Sequence, residues 1–202
     1  TLYVMTNNVA GIVRLVPRAA LAADRDPLAV FDDGVAPQEG TPFAVEKPLL
    51  ASPLGLPCNA PPWGRIHAID MSRGEIKWER ATGSLEDFAP FGDVLLPKGS
   101  ALMGGPIATA GGVVFASGAM DNYLRAFDAK SGAELWKGRL PAGGQATPMT
   151  YDWDGRQYVV IAAGGHSNMQ TTPGDEIVAF ALPRAGERRI TTAEKMLARP
   201  TV

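Results

Sequence analysis

Short apolar stretches separated by turn residues run along most of the chain. A stretch that begins at Ile66 stops at Asp70, a Gly-containing turn follows, and a second stretch ends in Trp78. The same pattern, apolar-x-Ala-apolar-Asp-x-x-x-Gly-x-x-x-Trp, returns 58 residues later, from Leu124 to Trp136. Alternation of apolar and polar positions indicates strands, and Ser-x-Gly or Lys-Ser-Gly indicates a tight turn. The repeat therefore predicts two β-hairpins of one design.

Further strand candidates precede the later hairpin strands. Pro106–Ala110 and Val113–Ser117 flank a Gly-Gly turn before the second hairpin. Ala146–Tyr151 and Gln157–Ala163 precede Ile177–Leu182, which looks like a third copy of the first hairpin strand. Four short antiparallel strands per repeat are typical of the radial sheet, or blade, of a β-propeller. The sequence thus predicts an all-β fold made of propeller blades.

The predicted blades differ in completeness. A partial blade spans 1–80 and contains a Pro-rich insertion at about 10–62, a full blade spans 104–140, and a three-stranded blade spans 144–182. Blades bury their faces only against neighbours, and a closed propeller needs at least four. The chain also starts inside a strand candidate, with no initiator Met or leader before Thr1. We therefore expect a fragment whose remaining blades lie elsewhere in the same protein.

Composition narrows the functional classes. Hydrophobic residues make up 46% of the 202 residues and charged residues 20%, which suits a packed core. Lys and Arg number 19 against 21 Asp and Glu, so the basic stripe of a nucleic-acid binder is not expected. One cysteine and two distant histidines predict no disulfide framework and no metal site. No apolar stretch approaches the roughly 18 residues of a transmembrane helix, and residues 184–202 form a basic tail.

Several tracts of the chain resemble one known family. The tracts are Ser52–Gly64, Gly104–Gly112, Asp121–Ala126 and Leu140–His166. They are similar to the C-terminal part of the membrane-bound PQQ-dependent dehydrogenases, the quinoproteins typified by glucose dehydrogenase and quinate/shikimate dehydrogenase. The resemblance runs from about residue 1 to residue 183, and the hairpin repeat resembles the tryptophan-docking motif of the family. It implies the last blades of an eight-bladed propeller.

The resemblance also implies a chemistry. It implies PQQ and a divalent cation, Ca or Mg, on the propeller axis, with oxidation of a polyol, cyclitol or sugar hydroxyl and electron delivery to ubiquinone. The implied location is the periplasmic face of the bacterial inner membrane. In the family the membrane anchor, the metal ligands and the catalytic aspartate base lie upstream of the matched part. No catalytic or metal-binding residue is therefore expected in this chain.

The substrate branch is predicted from smaller features. Within the family, Ala119–Tyr123 and the Asp-x-Ala-Pro stretch at 87–90 lean toward the quinate/shikimate-like branch, with glucose as the alternative. The family often has Gly-Gly-His-Gly followed by Thr-Lys, whereas this chain has Gly-Gly-His-Ser at 164–167 and Thr-Thr at 171–172. An altered pocket rim of this kind favours a different polyol or cyclitol.

His166 is the first candidate for contact with cofactor or substrate. It follows Gly164 and Gly165 at the end of an apolar strand. Backbone without side chains lets a ligand approach closely, and an imidazole there can donate to a substrate hydroxyl or a quinone oxygen. A hydrogen-bonded structural histidine is the alternative from the residues alone. The resemblance favours the site interpretation.

Asp121, Asn7 and Asn8 are the other candidates. Asp121 lies at a strand-to-strand turn, where Asx-type turn chemistry is the alternative. The resemblance puts it near the quinone, paired with a cation from another part of the protein, unless Arg125 neutralises it locally. Asn7 and Asn8 end the first strand, where asparagines often form turns. In the family an asparagine at a comparable point bonds the quinone, and either of the two fits.

A function from another class has to be weighed. Non-catalytic propeller scaffolds, such as an outer-membrane assembly factor, share the Ala-x-Asp…Gly-x-x-x-Trp repeat without PQQ. The repeat thus predicts structural roles for Trp78 and Trp136, which would lock adjacent blades together in either class of protein. The Gly-Gly-Gln-Ala-Thr-Pro-Met-Thr-Tyr tract at 143–151 and the Gly-Gly-His tract at 164–166 favour the enzyme, because a scaffold does not require them.

Overall fold

The computed structural model describes residues 1–21, 35–88 and 98–186, which contain β-strands and one three-residue 3-10 helix at Arg18–Ala20. In chain order the strands are β1 (Leu2–Asn7), β2 (Arg14–Pro17), β3 (Val35–Ala36), β4 (Phe43–Glu46), β5 (Gly64–Asp70), β6 (Glu75–Ala81), β7 (Ile107–Ala108), β8 (Val113–Ala116), β9 (Tyr123–Asp128), β10 (Glu134–Arg139), β11 (Met149–Trp153), β12 (Arg156–Ala163) and β13 (Glu176–Ala181). Within these described ranges no helix is long and apolar enough to cross a membrane. The predicted all-β class is confirmed.

The chain divides into two compact units, a smaller one at Asn8–Ala60 and a larger one from the residues on either side of it. The larger unit holds three antiparallel sheets. The first sheet has the order β1-β5-β6, the second β7-β8-β9-β10 and the third β11-β12-β13. Within each sheet the strands pair in chain order, which is the up-and-down connectivity that hairpin turns predict. Of the basic tail, only residues 184–186 are described, so the prediction for the rest lies outside the described residues.

The repeated turn has the same construction in both hairpins. Asp70 and Asp128 each accept hydrogen bonds through Oδ1 from the backbone and hydroxyl of a serine in the turn. Gly74 and Gly132 close the turns at φ of 70° and 69°, a region that glycine adopts without steric cost. The Asp and Gly positions of the repeat are therefore explained by local turn geometry.

The second sheet is packed on both faces. Between the first and second sheets lies a buried cluster of Ile66, Ala68, Trp78, Val114, Ala116 and Phe127. Between the second and third lies a cluster of Leu124, Leu140, Ala142, Val159, Ile161 and Ala163. Successive side chains of a strand point to opposite faces. In β8, Val114 and Ala116 accordingly join the first cluster, whereas Phe115 packs against the second.

Both repeat tryptophans contact the next sheet, but they are buried to different extents. Trp78 is 7% exposed, and its indole Nε1 donates to the carbonyl of Ala129 at 3.0 Å. Its ring lies so close to Gly132 that a Cβ there would be 2.6 Å from ring carbons. Trp136 meets Phe180 edge-on, with ring centroids 5.0 Å apart, and remains 39% exposed. Trp78 is thus the more deeply docked of the two.

The insertion at 10–62 is folded where the structure describes it. The smaller unit contains a three-stranded sheet of order β2-β4-β3, in which Arg14 pairs with Glu46 at 2.7 Å from its Nε. The side chain of Asn59 accepts from the backbone N–H of Ala10 at 3.1 Å and donates to the carbonyl of Asn8 at 2.7 Å. These bonds hold the two ends of the unit together. The apolar pattern does not predict strands here, because prolines interrupt it.

Replacing Trp78 by Ala should lower the free energy of unfolding by about 3–5 kcal/mol, the range for emptying an aromatic core site. Trp136→Ala should have a clearly smaller effect, because less of that ring is buried. Thermal unfolding of the two full-length variants, compared with the parent protein, gives the ranking. Equal losses of thermal stability would contradict the difference in burial.

Candidate functional site

Loops from all three sheets meet at the same end of the larger unit. β1 ends where β5 begins, β8 ends where β9 begins, and β12 ends where β13 begins. The connections at this end, here called the loop cluster, comprise residues 82–88, 98–106, 117–122, 140–148 and 164–175. Hydrogen bonds join these loops from one sheet to the next. The cluster is therefore the place where side chains from separate repeats come together.

Close backbone approach is a condition of this arrangement. The carbonyl of Gly118 accepts from the N–H of Met103 at 2.7 Å. Gly118 has a φ of 93°, and a Cβ on it would lie 2.0 Å from the Met103 carbonyl oxygen. Only glycine fits both the conformation and the contact. The loop at 117–122 is thus locked against the segment that precedes β7.

Asp121 is fully buried and fully bonded. Its carboxylate accepts two hydrogen bonds from the Arg125 guanidinium, at 2.8 and 2.6 Å. It also accepts from the backbone N–H of Ser84 at 2.6 Å and from the Ser84 hydroxyl at 2.9 Å. Of the two cationic partners considered for Asp121, the structure contains the local one, Arg125. With 0% exposure and every oxygen bonded, this carboxylate has no surface for a ligand, so we assign Asp121 to positioning of the loop.

A second ion pair ties the loop at 82–88 to the second sheet. Asp87 accepts from the Arg139 guanidinium at 2.7 Å and from the backbone N–H of Asn122 at 2.8 Å. Burial alone would raise the pKa of the Asp87 carboxyl, but the bonds from Arg139 and Asn122 outweigh it and hold this pKa below its ordinary value. Asp87, part of a tract used to predict the substrate branch, thus has an internal bonding role. Ala89 and Pro90 of that tract lie outside the described residues.

The two asparagines at the end of β1 differ in their surroundings. Asn7 donates through Nδ2 to the carbonyl of Leu102 at 2.8 Å and accepts through Oδ1 from the Leu102 N–H at 2.7 Å. Its amide therefore mimics a backbone pairing and holds the segment before β7. Asn8 belongs to the smaller unit, where its backbone carbonyl is bonded by Asn59.

The loop that carries His166 is closed by one threonine. The Thr171 hydroxyl oxygen accepts from the His166 backbone N–H at 2.9 Å, and the Thr171 N–H donates to the His166 carbonyl at 3.3 Å. The same hydroxyl donates to Oε1 of Gln145 at 2.9 Å, and Nε2 of Gln145 donates to the Ala119 carbonyl at 2.9 Å. A chain of hydrogen bonds thus runs from His166 in the third sheet to the second sheet.

The imidazole of His166 is half-buried and unbonded. Its Nδ1 is buried without a hydrogen-bond partner, and Nε2 has none either, within residues 1–21, 35–88 and 98–186. A buried N–H without an acceptor is rarer in proteins than an unpaired acceptor. The favoured tautomer therefore keeps the lone pair on Nδ1 and the proton on Nε2. His166 is then a hydrogen-bond donor through Nε2, which is not buried.

The two glycines before His166 have separate roles. Gly165 has a φ of 71°, and a Cβ on it would lie 2.4 Å from the Thr172 carbonyl oxygen. At Gly164 a Cβ would meet only the Gly174 carbonyl, at 3.8 Å, so the space beside it is open. Gly165 therefore allows the backbone turn, and Gly164 presents backbone without a side chain two residues before the histidine.

Comparison with known proteins shows where this architecture occurs. Residues 1–159 match the protein family described as "PQQ: Glucose/ethanol/alcohol dehydrogenase, beta-propeller domain". The chain belongs to this family. The family assignment made from the sequence motifs is thereby confirmed, and so is the propeller fold.

Two relatives of the PQQ propeller family illustrate the range. The quinoprotein glucose dehydrogenase of Escherichia coli (strain K12) is 50% identical over 155 residues, which cover 75% of this chain and 20% of that protein. The probable quinate dehydrogenase (quinone) of Xanthomonas campestris pv. juglandis is 44% identical over 181 residues, covering 86% and 23%. A continuous match that covers 86% of the 202 residues contains His166 whichever residue it starts from. The chain spans about a fifth of the length of the curated relatives it matches.

A solved structure supports the fold alone. The quinohemoprotein alcohol dehydrogenase from Comamonas testosteroni superimposes with a TM-score of 0.56 over 94% of this chain and 24% of that chain. Its sequence identity is 24%. The strand arrangement described above is therefore also found in that solved structure.

Within this PQQ propeller, the structure brings three of the four predicted residues to the loop cluster. Asn7, Asp121 and His166 all have contacts there, whereas Asn8 lies in the smaller unit. Sequence reasoning missed Gln145, although the Gly-Gly-Gln tract had been singled out. Among the described residues, no group of three His, Cys, Asp or Glu side chains converges to hold a metal ion.

Asp121→Asn should lower the free energy of unfolding by about 3 kcal/mol, because it removes the buried carboxylate of the pair and leaves Arg125 only the more exposed Glu134, 3.5 Å from its Nε. Asp154→Asn is the matched control, since Asp154 forms an exposed pair with Arg184 and such pairs contribute less than about 1 kcal/mol. Denaturant unfolding of the full-length variants measures both. A loss as small for Asp121→Asn as for Asp154→Asn would contradict a stabilising role for the buried pair.

Proposed function

We propose that the protein containing this chain is a PQQ-dependent dehydrogenase that oxidises a hydroxyl group of a polyol, cyclitol or sugar. This chain supplies blades of its propeller, and the remaining blades of the same protein complete it. The observation that carries the proposal is the half-buried, unbonded imidazole of His166 beside the bare backbone of Gly164. Membership of the PQQ propeller family and the named activities of the relatives support it.

The residues of the loop cluster fit a flat quinone. Gly164 offers backbone without a side chain, and the Nε2–H of His166 offers a donor to a quinone oxygen or a substrate hydroxyl. We therefore expect the imidazole to face the propeller axis. When bound, PQQ supplies the acceptor for the two electrons that leave the alcohol carbon. The chain itself contributes binding and orientation, and a divalent cation, Ca or Mg, would be held mainly by residues upstream.

The other candidate residues receive different roles in this proposal. Asp121 positions the loop at 117–122 through Arg125 and Ser84. Asn7 holds the backbone of Leu102 with both ends of its amide. Asn8 lies in the smaller unit and stays a candidate only through the family resemblance, without a structural role here. None of them is assigned a step in proton transfer.

The acceptor and the location follow the same proposal. Ubiquinone is the proposed electron acceptor, supported by a relative described as a probable quinate dehydrogenase (quinone). The proposed location is the periplasmic face of the bacterial inner membrane, which suits a reaction that delivers electrons to a membrane quinone.

Two substrates head the proposed class. The quinate/shikimate-like branch was favoured by tracts containing Asp87 and Asp121, whose carboxylates both bind arginines inside the protein. Because these carboxylates bind arginines of the protein, they are not assigned to substrate recognition. The two tracts therefore support a branch of the family and do not describe a substrate pocket. The 50% identity to a glucose dehydrogenase makes glucose the second candidate. The two are separated by assay of the PQQ-reconstituted full-length protein with quinate, shikimate, glucose and inositol.

His166→Ala and His166→Asn test the site. If Nε2–H bonds the substrate or the quinone, its loss should cost about 1–3 kcal/mol, roughly 5- to 150-fold in kcat/KM, with the fold intact. His67→Asn is the matched control, because His67 bonds the Thr6 hydroxyl at 2.8 Å within the first sheet. Steady-state kinetics with PQQ-reconstituted enzyme give the values. Unchanged kinetics for both His166 variants would reject the site.

A further inference from the structure

We propose that Gln145 and Thr171 are positioning residues for His166, acting through the chain of hydrogen bonds that joins the His166 loop to the neighbouring sheet. The inference rests on the proposed function of His166. It assigns a role to two residues that contact neither cofactor nor substrate in that proposal.

The chain of bonds has a fixed direction. The His166 backbone N–H is a donor, so the Thr171 oxygen accepts there and its O–H donates onward to Oε1 of Gln145. With Oε1 used as the acceptor, Nε2 of Gln145 must face the carbonyl of Ala119, as it does. Each of the three distances is 2.9 Å. Gln145 and Thr171 are each 9% exposed, so water competes little for these bonds.

His166 depends on these bonds to its backbone because its side chain makes no hydrogen bond within the described residues. The ring position is then set by the backbone of the loop at 166–171. Three residues inside that loop, Ser167, Asn168 and Gln170, are exposed. Backbone bonds of Gly165 and Thr172 with Gly143 hold the two ends of this loop, and the Thr171 hydroxyl is the side-chain group that bonds the His166 backbone itself.

The series of hydrogen bonds ends at Ala119, in a loop that is itself held by several bonds. Ala119 belongs to the loop at 117–122, in which the Met120 N–H bonds the Ser100 hydroxyl at 3.1 Å and Asp121 forms its buried ion pair. The loop between β12 and β13 is therefore held against a loop of the second sheet. In a propeller, a site on the axis needs this kind of registration between neighbouring blades.

The Gly-Gly-Gln tract singled out from the sequence now has a physical explanation. A Cβ on Gly143 would lie 2.4 Å from Oε1 of Gln145 and 2.5 Å from the hydroxyl oxygen of Thr171. A Cβ on Gly144 would lie 2.4 Å from the Ser117 hydroxyl oxygen. Gly143 therefore leaves the space in which the Gln145–Thr171 bond forms, and Gly144 leaves the space for the Ser117 hydroxyl.

A double-mutant cycle tests the coupling. In full-length PQQ-reconstituted enzyme, Thr171→Val should lower kcat/KM about 2- to 10-fold, the equivalent of one hydrogen bond. Thr171→Ser keeps the hydroxyl and should stay close to the parent. On a His166→Ala background, Thr171→Val should have almost no further effect, because its contribution passes through His166. The affinity of the apo-enzyme for PQQ, followed by fluorescence titration, should show the same pattern without turnover.

Two further variants keep the test decisive. Gln145→Met removes both side-chain hydrogen bonds of Gln145 at similar volume. If Thr171→Val fails to fold, Gln145→Met should show the loss of kcat/KM and of PQQ affinity that is expected for Thr171→Val. Thr109→Val is the matched control, because the Thr109 hydroxyl bonds Val113 at the opposite end of the second sheet, and it should leave both readouts unchanged.

The outcomes separate this inference from the function it rests on. Equal effects of Thr171→Val on the parent and His166→Ala backgrounds, or a Thr171→Ser variant as impaired as Thr171→Val, would overturn the positioning role while leaving His166 in the site. No effect of His166→Ala alone would overturn the proposed role of His166 in the site, and the positioning role of Thr171 and Gln145 with it.

Discussion

The candidate site depends on one buried contact, the ion pair between Asp121 and Arg125. The same carboxylate binds the backbone and hydroxyl of Ser84, so a strand of the second sheet and the segment after the first sheet are held at one point. An unpaired charge at this depth would be strongly unfavourable, which makes the pair a geometric requirement once the loop is buried. The loop at 117–122 then offers the Met120 N–H to Ser100 on one side and the Ala119 carbonyl to Gln145 on the other. The bond to Gln145 continues through Thr171 to the backbone of His166.

The features of the fold that were predictable are those encoded within a few residues. The turns closed by Gly74 and Gly132 and the apolar run in β12 are local signals, and they define the sheets correctly. The small sheet of β2, β3 and β4 was not predictable, because its strands are two to four residues long and its pairs are distant in sequence. The different burial of Trp136 also depends on what the next sheet places against it, and a repeat cannot reveal that.

For the site, local signals identified positions but not partners. His166 was found from the two glycines before it, and the structure gives those glycines distinct reasons. The bonding of Asp121 was left open, because Arg125 and a distant cation are equally compatible with a turn aspartate. Gln145 was missed since both its partners, Ala119 and Thr171, are 26 residues away in sequence. Polar networks between repeats are set by tertiary geometry, which no spacing rule contains.

The smaller unit changes how the first sheet can form. β1 and β5 are adjacent strands of the first sheet, but the whole of Asn8–Ala60 lies between them in the sequence. Closing a long flexible loop costs entropy before any strand contact forms. Asn59 bonds Ala10 and Asn8 within the unit, so once that unit has folded its two ends are already neighbours. A long-range pairing then becomes a local one, and folding of the insertion before the first sheet is the kinetically favoured order.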